Sequence, residues 1–267
     1  MEVMQNVFGG TIMKRYDAID KIGSEILKDN LIEALFLKGS IARNEDDEYS
    51  DVDMYAVVTT ENLDIFLTKR IQYMEKYMPL IFWTEENFIC PQIVGVFENT
   101  LHFDLYTICQ KNIPQTDDIK IIYDKNSILR TYRKEPLSIS SSMIIDEINE
   151  FSFTILEFEA AYHRKDFLWA IRLFYAQLTR ASLITRFIHD KNNSKLGLKR
   201  LYKFIPKELY HEYLSIMENA TPSNILFAMK KLTDLVNKMI EELPETIIKQ
   251  INKKFYDLMY GKIIDLK

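Results

Sequence analysis

The sequence predicts an α+β chain in two parts: a mixed β-sheet flanked by helices over residues 1–135, and an α-helical bundle over residues 136–267. Three observations carry this prediction. Short apolar, β-prone runs at 34–37, 52–58, 92–97, 101–108 and 119–125 all fall in the first half. The stretch Glu135-Pro136-Leu137-Ser138-Ile139-Ser140-Ser141-Ser142 then interrupts the pattern with linker composition. From Met143 onward the strand signals vanish and helical periodicity takes over.

Taken in order, residues 13–29 carry helical periodicity, and Ala34-Leu35-Phe36-Leu37 reads as the first strand. A Gly39-Ser40 turn follows. Val52-Asp53-Met54-Tyr55-Ala56-Val57-Val58 is the second strand. A helix is expected over 61–77. Strands follow at 92–97 and 101–108, joined by a hairpin turn at Glu98-Asn99-Thr100, and the last strand is Ile119 to Lys125. Beyond the linker, five or six helices are expected, including 143–164, 166–189 and 222–240, with Pro206, Pro222 and Pro244 marking helix starts. Phe151, Phe153, Phe158, Tyr162, Phe167, Trp169 and Phe174 are read chiefly as core.

Composition narrows the function classes. At 267 residues with 47% hydrophobic content, the chain exceeds one compact domain and can bury two cores. No apolar run approaches a membrane span, and no export signal is recognisable, so a cytoplasmic protein is expected. A net charge of −5 disfavours a nonspecific nucleic-acid binder and suits a cationic small-molecule partner. Cys90 and Cys109 have neither metal nor redox spacing and read as buried free thiols; four scattered histidines without ligand spacing disfavour zinc. A monomer and a homodimer are equally compatible with the sequence.

The chemistry concentrates in Gly39-Ser40-Ile41-Ala42-Arg43-Asn44-Glu45-Asp46-Asp47-Glu48-Tyr49-Ser50-Asp51-Val52-Asp53. Alternation along the second strand puts Asp51 and Asp53 on one face, where a hard cation such as magnesium would offset their repulsion. Gly39 permits close approach of backbone to a phosphate, Ser40 is expected to N-cap a short helix, and Arg43 is placed to neutralise an anion. Asp104 is a lone carboxylate in an apolar strand, a position that demands a metal, a cation or a strand end to explain it. His102 should share its face and reads as a hydrogen-bonded structural histidine in preference to a neighbour of the metal or substrate. Glu45, Asp46, Asp47 and Glu48 read as a solvated acidic run without a catalytic role.

This constellation resembles the nucleotidyltransferase superfamily related to DNA polymerase beta, and in particular the antibiotic nucleotidyltransferases. Those enzymes often carry Gly-Ser-x-Ala-Arg-Gly followed by Ser-Asp-x-Asp; here every position matches except Asn44, where the family has glycine. Asparagine tolerates a left-handed backbone better than most residues. The resemblance implies a magnesium-dependent catalytic domain over 1–135 and a helical substrate-binding domain over 136–267. It implies Asp51, Asp53 and Asp104 as catalytic metal ligands, and Gly39, Ser40, Arg43 and Ser50 as nucleotide-binding residues. The implied reaction transfers a nucleoside monophosphate, expected to be AMP from ATP, to a hydroxyl of an aminoglycoside or lincosamide. Protein or RNA acceptors, or an inactive nucleotide-binding module, are the alternatives. In the second half, Ser194 to Lys203 followed by Pro206-Lys207-Glu208 resembles a lysine-rich family segment and suggests Lys199 as a triphosphate ligand; a solvated basic face accounts for it equally. Glu157 and Glu159 are candidates for a family general base, beside Asp104, and the sequence does not choose among them.

Overall fold

The computed structural model describes residues 2–267, with side chains described from Lys14 onward. The chain forms two compact units, Met1–Glu135 and Pro136–Lys267. In the first, a long helix α1 (Glu2–Lys28) leads into β1 (Ile32–Leu37), a single-turn helix α2 (Gly39–Ala42), β2 (Val52–Val58) and α3 (Leu63–Met74). Four further strands follow: β3 (Leu80–Glu86), β4 (Gln92–Phe97), β5 (His102–Cys109) and β6 (Lys120–Asp124).

The six strands form one mixed sheet in the order β3-β4-β5-β2-β1-β6. All neighbours are antiparallel except β2 and β5, which pair in parallel. Strand alternation sorts the side chains. Val52, Met54, Phe103 and Leu105 enter one core, against Ala18, Ile22 and Ile26 of α1 and Phe66 and Met74 of α3. Tyr55, Val57 and Ile108 take the opposite face, with Phe36, Cys90 and Leu129. Each fully buried large apolar side chain contributes about 1.5–3 kcal/mol by leaving water, so the helix-covered face anchors the sheet.

β3 lies in a stretch, residues 78–91, for which the sequence predicts no element. It is an edge strand whose Ile81, Phe82 and Trp83 are all substantially exposed, so it lacks the alternation that marks a half-buried strand. The expected hairpin at Glu98-Asn99-Thr100 is present, with Thr100 in the left-handed region at φ 64°.

The second unit contains α4 (Ser141–His163), α5 (Phe167–His189), α6 (Lys207–Glu218), α7 (Ile225–Glu241), the single turn α8 (Glu245–Ile248) and α9 (Lys253–Asp265). Ser140 and Asp166 cap α4 and α5 through their side chains, accepting from the amides of Met143 and Trp169. Pro206 and Pro244 stand at the N-caps of α6 and α8, whereas Pro222 precedes a helix that begins only at Ile225. Phe151, Phe158 and Phe174 are core as expected, but Phe153 and Trp169 are about half exposed and belong to the surface. Among the described residues no helix is long and apolar enough to cross a membrane.

Candidate active site

The parallel pairing of β2 with β5 puts Asp53 in register with Asp104. Directly registered residues on parallel strands project to the same side, so both carboxylates lie on the face opposite the helix-covered core. Asp51 precedes β2 by one residue and has the same parity. Asp104 is 7% exposed, whereas the side chain of Asp51 is 40% exposed.

His102 shares that face. Its Nε2 donates to Asp104 Oδ1 at 3.0 Å, and its Nδ1 lies 3.9 Å from Asp51 Oδ2. The hydrogen bond to Asp104 raises the imidazole pKa above its ordinary value against the opposing effect of burial, with Asp51 and Asp53 adding to the rise. The histidine is therefore hydrogen-bonded, as its strand parity suggested, and it bridges two of the carboxylates singled out in the sequence.

The turn before β2 closes on the same carboxylates. The amide of Lys38 donates to the carbonyl of Asp53 at 3.0 Å, extending the β1–β2 ladder by one residue. Gly39 then adopts φ 67°, and a Cβ placed there would collide with Asp53 Oδ2. Asn44 occupies the left-handed region at φ 54°, so the residue standing where the family has glycine takes a glycine-like backbone. Ser40 does not cap the helix. The N-cap of α2 is Lys38, Ser40 lies within the first turn, and its buried Oγ has no hydrogen-bond partner among the described residues. A buried hydroxyl of this kind lacks the partner that such groups normally have in folded chains.

Arg43, expected to meet an anion, is engaged by protein carboxylates: Nε donates to Glu45 at 2.9 Å and Nη1 to Asp117. Ser50 accepts from the Asp47 amide at 3.0 Å and donates to the Asp47 carboxylate at 3.2 Å. The acidic run is thus largely not a solvated face. Asp46, with a side chain 13% exposed, accepts from the buried Arg15 at 3.2 Å and from the hydroxyl of Tyr16. Beside Asp51 and His102, Arg15, Ser50, Asn99 and Thr100 help to line a cavity of about 310 Å³.

Lys38, which sequence reasoning missed, is 7% exposed. Alternation from Phe36 places it on the site face, and that parity was the available signal. Its Nζ donates to the Pro114 carbonyl at 2.9 Å and lies over the rings of Tyr55 and Tyr132. Burial lowers its pKa, and Asp117 and Asp53 partly offset this. Burial pushes the Tyr132 hydroxyl up to about 12, and that hydroxyl lies 2.8 Å from the Asp117 carbonyl, to which it donates.

In the second unit, Lys199 is exposed, and its carbonyl accepts from the fully buried Arg186. Glu157 is exposed, and Glu159 is paired with Lys262. Cys90 is buried, whereas Cys109 is only partly so, and both are free thiols.

Among the described residues no three carboxylate, imidazole or thiol groups converge into a ready-made metal cage. Magnesium characteristically uses one or two carboxylates together with substrate phosphates and water. The all-oxygen donor set of Asp51, Asp53 and Asp104, on one face of the sheet, has the chemistry for such shared coordination.

A glycine-serine turn folded over paired strand carboxylates is the architecture of a nucleotidyltransferase, and the chain is an enzyme of that class. The family model for streptomycin adenylyltransferase matches residues 13–258, and the chain belongs to that family. No curated protein matches it by sequence. Among solved structures, it is similar to an aminoglycoside 6-adenyltransferase from Bacillus subtilis at 15% identity, over 92% of this chain and 97% of that one, with a TM-score of 0.31. It is also similar to a spectinomycin adenyltransferase from Enterococcus faecialis, determined with ATP and spectinomycin, at 15% identity over 94% and 99% of the two chains and a TM-score of 0.34.

Proposed function

We propose that this protein transfers AMP from ATP to a hydroxyl of a small cationic antibiotic, an aminoglycoside or a lincosamide, and releases pyrophosphate. The observation that carries the reading is the register of Asp53 with Asp104, on the face where Gly39 closes over Asp53. In the reaction, the acceptor oxygen forms a bond to the α-phosphorus, the bond from that phosphorus to the bridging oxygen breaks, and pyrophosphate leaves with the electron pair. The acceptor proton passes to Asp104, in preference to Glu157 or Glu159.

Asp51, Asp53 and Asp104 would hold magnesium together with the phosphates. Bound there, magnesium supplies charge stabilisation at the α-phosphate and acidifies the acceptor hydroxyl. The residues of the chain do the remainder. Ser40 offers its hydroxyl to the phosphate chain, His102 holds one oxygen of Asp104 and leaves the other open, and Ser50 keeps the loop before Asp51 in place. Arg43 reaches the β- and γ-phosphates by exchanging Asp117 or Glu45 for them. The net charge of −5 favours a cationic acceptor over nucleic acid, and the cavity beside Asp51 offers room for one ring of it.

The test is incubation with magnesium, each nucleoside triphosphate and pooled aminoglycosides and lincosamides, read by mass spectrometry for acceptors heavier by one nucleoside monophosphate. Modification is expected for one antibiotic class, and it should vanish in a folded Asp53→Ala variant. Undiminished turnover by that variant would refute the site. Wild-type protein that binds ATP but modifies no antibiotic would move the acceptor to a protein or RNA, or indicate an inactive module.

A further inference from the structure

The fold buries several cations, and it treats one differently from the rest. Arg15, Arg70 and Arg186 are 1%, 2% and 0% exposed, and each has a carboxylate partner in Asp46, Glu85 and Asp190 respectively. Lys38 is 7% exposed, yet among the described residues no carboxylate lies within ion-pair distance of its Nζ. Asp117 and Asp53 act on it only as longer-range fields. A buried charge is ordinarily paired, because desolvation without a counter-charge is expensive.

The ammonium has three donors. One is used on the Pro114 carbonyl at 2.9 Å, and the next contact, to the Tyr132 hydroxyl, stretches to 3.5 Å. The rings of Tyr55 and Tyr132, with centroids 5.7 and 5.8 Å away, flank the charge without neutralising it. Lys38 is also the N-cap of α2, next in the chain to Gly39 and two residues before the Ser40 hydroxyl's own turn position. That hydroxyl is buried and lacks a partner. Lys38 and, two residues on, Ser40 therefore each carry donor capacity that the fold leaves unused and that an anionic, oxygen-rich group would take up.

We propose that Lys38 is a nucleotide-binding residue whose ammonium is the built-in counter-charge for the phosphate chain of the nucleoside triphosphate. The assignment rests on the nucleotidyltransferase reading of the site. It separates two kinds of cation: Arg43, already neutralised by Glu45 and Asp117, must give up a partner to meet phosphate, whereas Lys38 needs only to lend a free donor.

The experiment uses the full chain with magnesium and α,β-methylene-ATP, which cannot be cleaved at the transferring bond, followed by calorimetry. Adenosine binding is measured separately by ligand-observed NMR. Lys38→Gln keeps a donor for Pro114, Lys38→Met keeps the aliphatic stem between the two tyrosines, and Lys38→Arg keeps the charge; thermal melts identify the neutral variant that folds. That variant is expected to bind the triphosphate at least tenfold more weakly while its affinity for adenosine stays within twofold. Lys38→Arg should recover most of the triphosphate affinity. Unchanged triphosphate binding in a neutral variant would overturn the proposal. Equal losses for triphosphate and adenosine, or collapse of both neutral variants, would instead make Lys38 a pin for the turn and overturn it too. Wild-type protein that fails to bind the triphosphate analogue, or binds it equally well as Asp53→Asn, would refute the underlying site reading.

Discussion

Nε2 of His102 lies 3.0 Å from Oδ1 of Asp104, while Asp51 approaches the other ring nitrogen to 3.9 Å. The imidazole thus occupies a position between two carboxylates that would otherwise repel one another.

The first prediction concerns pH. The folded pKa of His102 is raised above the unfolded value near 6.5 by its bond to Asp104. A raised histidine contributes stability that is fully present below the unfolded pKa and is lost as pH rises through the folded pKa. The metal-free protein should therefore lose a small increment of stability as pH rises from about 6.5 through the raised pKa of His102, and His102→Gln should flatten that slope. NMR titration checks the cause: Asp104→Asn should return the imidazole pKa toward 6.5. An unchanged value would mean that Asp104 is not its main partner.

Gly39→Ala is expected to damage both stability and activity. The φ of 67° alone costs a residue with a Cβ about 1–2 kcal/mol. The added methyl group also meets Asp53 Oδ2, which must turn away. By contrast Asn44→Gly, at a similar φ, should leave the melting temperature within a few degrees of wild type and preserve activity. Thermal melts of the two variants, side by side, separate the collision from the backbone term.

Removing Arg15 tests the acidic loop. Its pairing with Asp46 joins side chains 1% and 13% exposed, so Arg15→Met leaves a partly buried carboxylate without its cation. A loss of about 3 kcal/mol is expected, with faster amide exchange across residues 44–50. Adding Asp46→Asn should restore part of the loss. If the double variant is as unstable as the sum of the single ones, the pair is not coupled.

Much of this site is legible in the sequence, and what is not has physical reasons. The strand–turn–strand order around Gly39 and the shared face of Asp51 and Asp53 follow from alternation and from glycine's freedom, both local properties. Helices α4 and α5 announce themselves by periodicity, and their ends fall within two residues of the expected 143–164 and 166–189. The roles of Asp46 and Arg43 are hidden because their partners, Arg15 and Asp117, are 31 and 74 residues away, and charge composition cannot distinguish a solvated run from an anchored one. β3 escapes because an edge strand exposed on both faces carries no alternating pattern. Ser40 fits a local rule that expects a capping serine, whereas the cap falls two residues earlier at Lys38 and the helix begins at Gly39.

The parallel pairing of β2 with β5 also bears on how the enzyme is made. β1 with β2, and β4 with β5, are antiparallel pairs, whereas joining the two pairs encloses all of residues 59–101 in one long-range closure. Contacts so distant in sequence form late and slowly. During synthesis, a chain that has emerged only as far as β2 already displays Asp51 and Asp53, but it acquires Asp104 only when β5 docks. The Asp53–Asp104 register is therefore coupled to completion of the sheet, and a partly folded molecule lacks it.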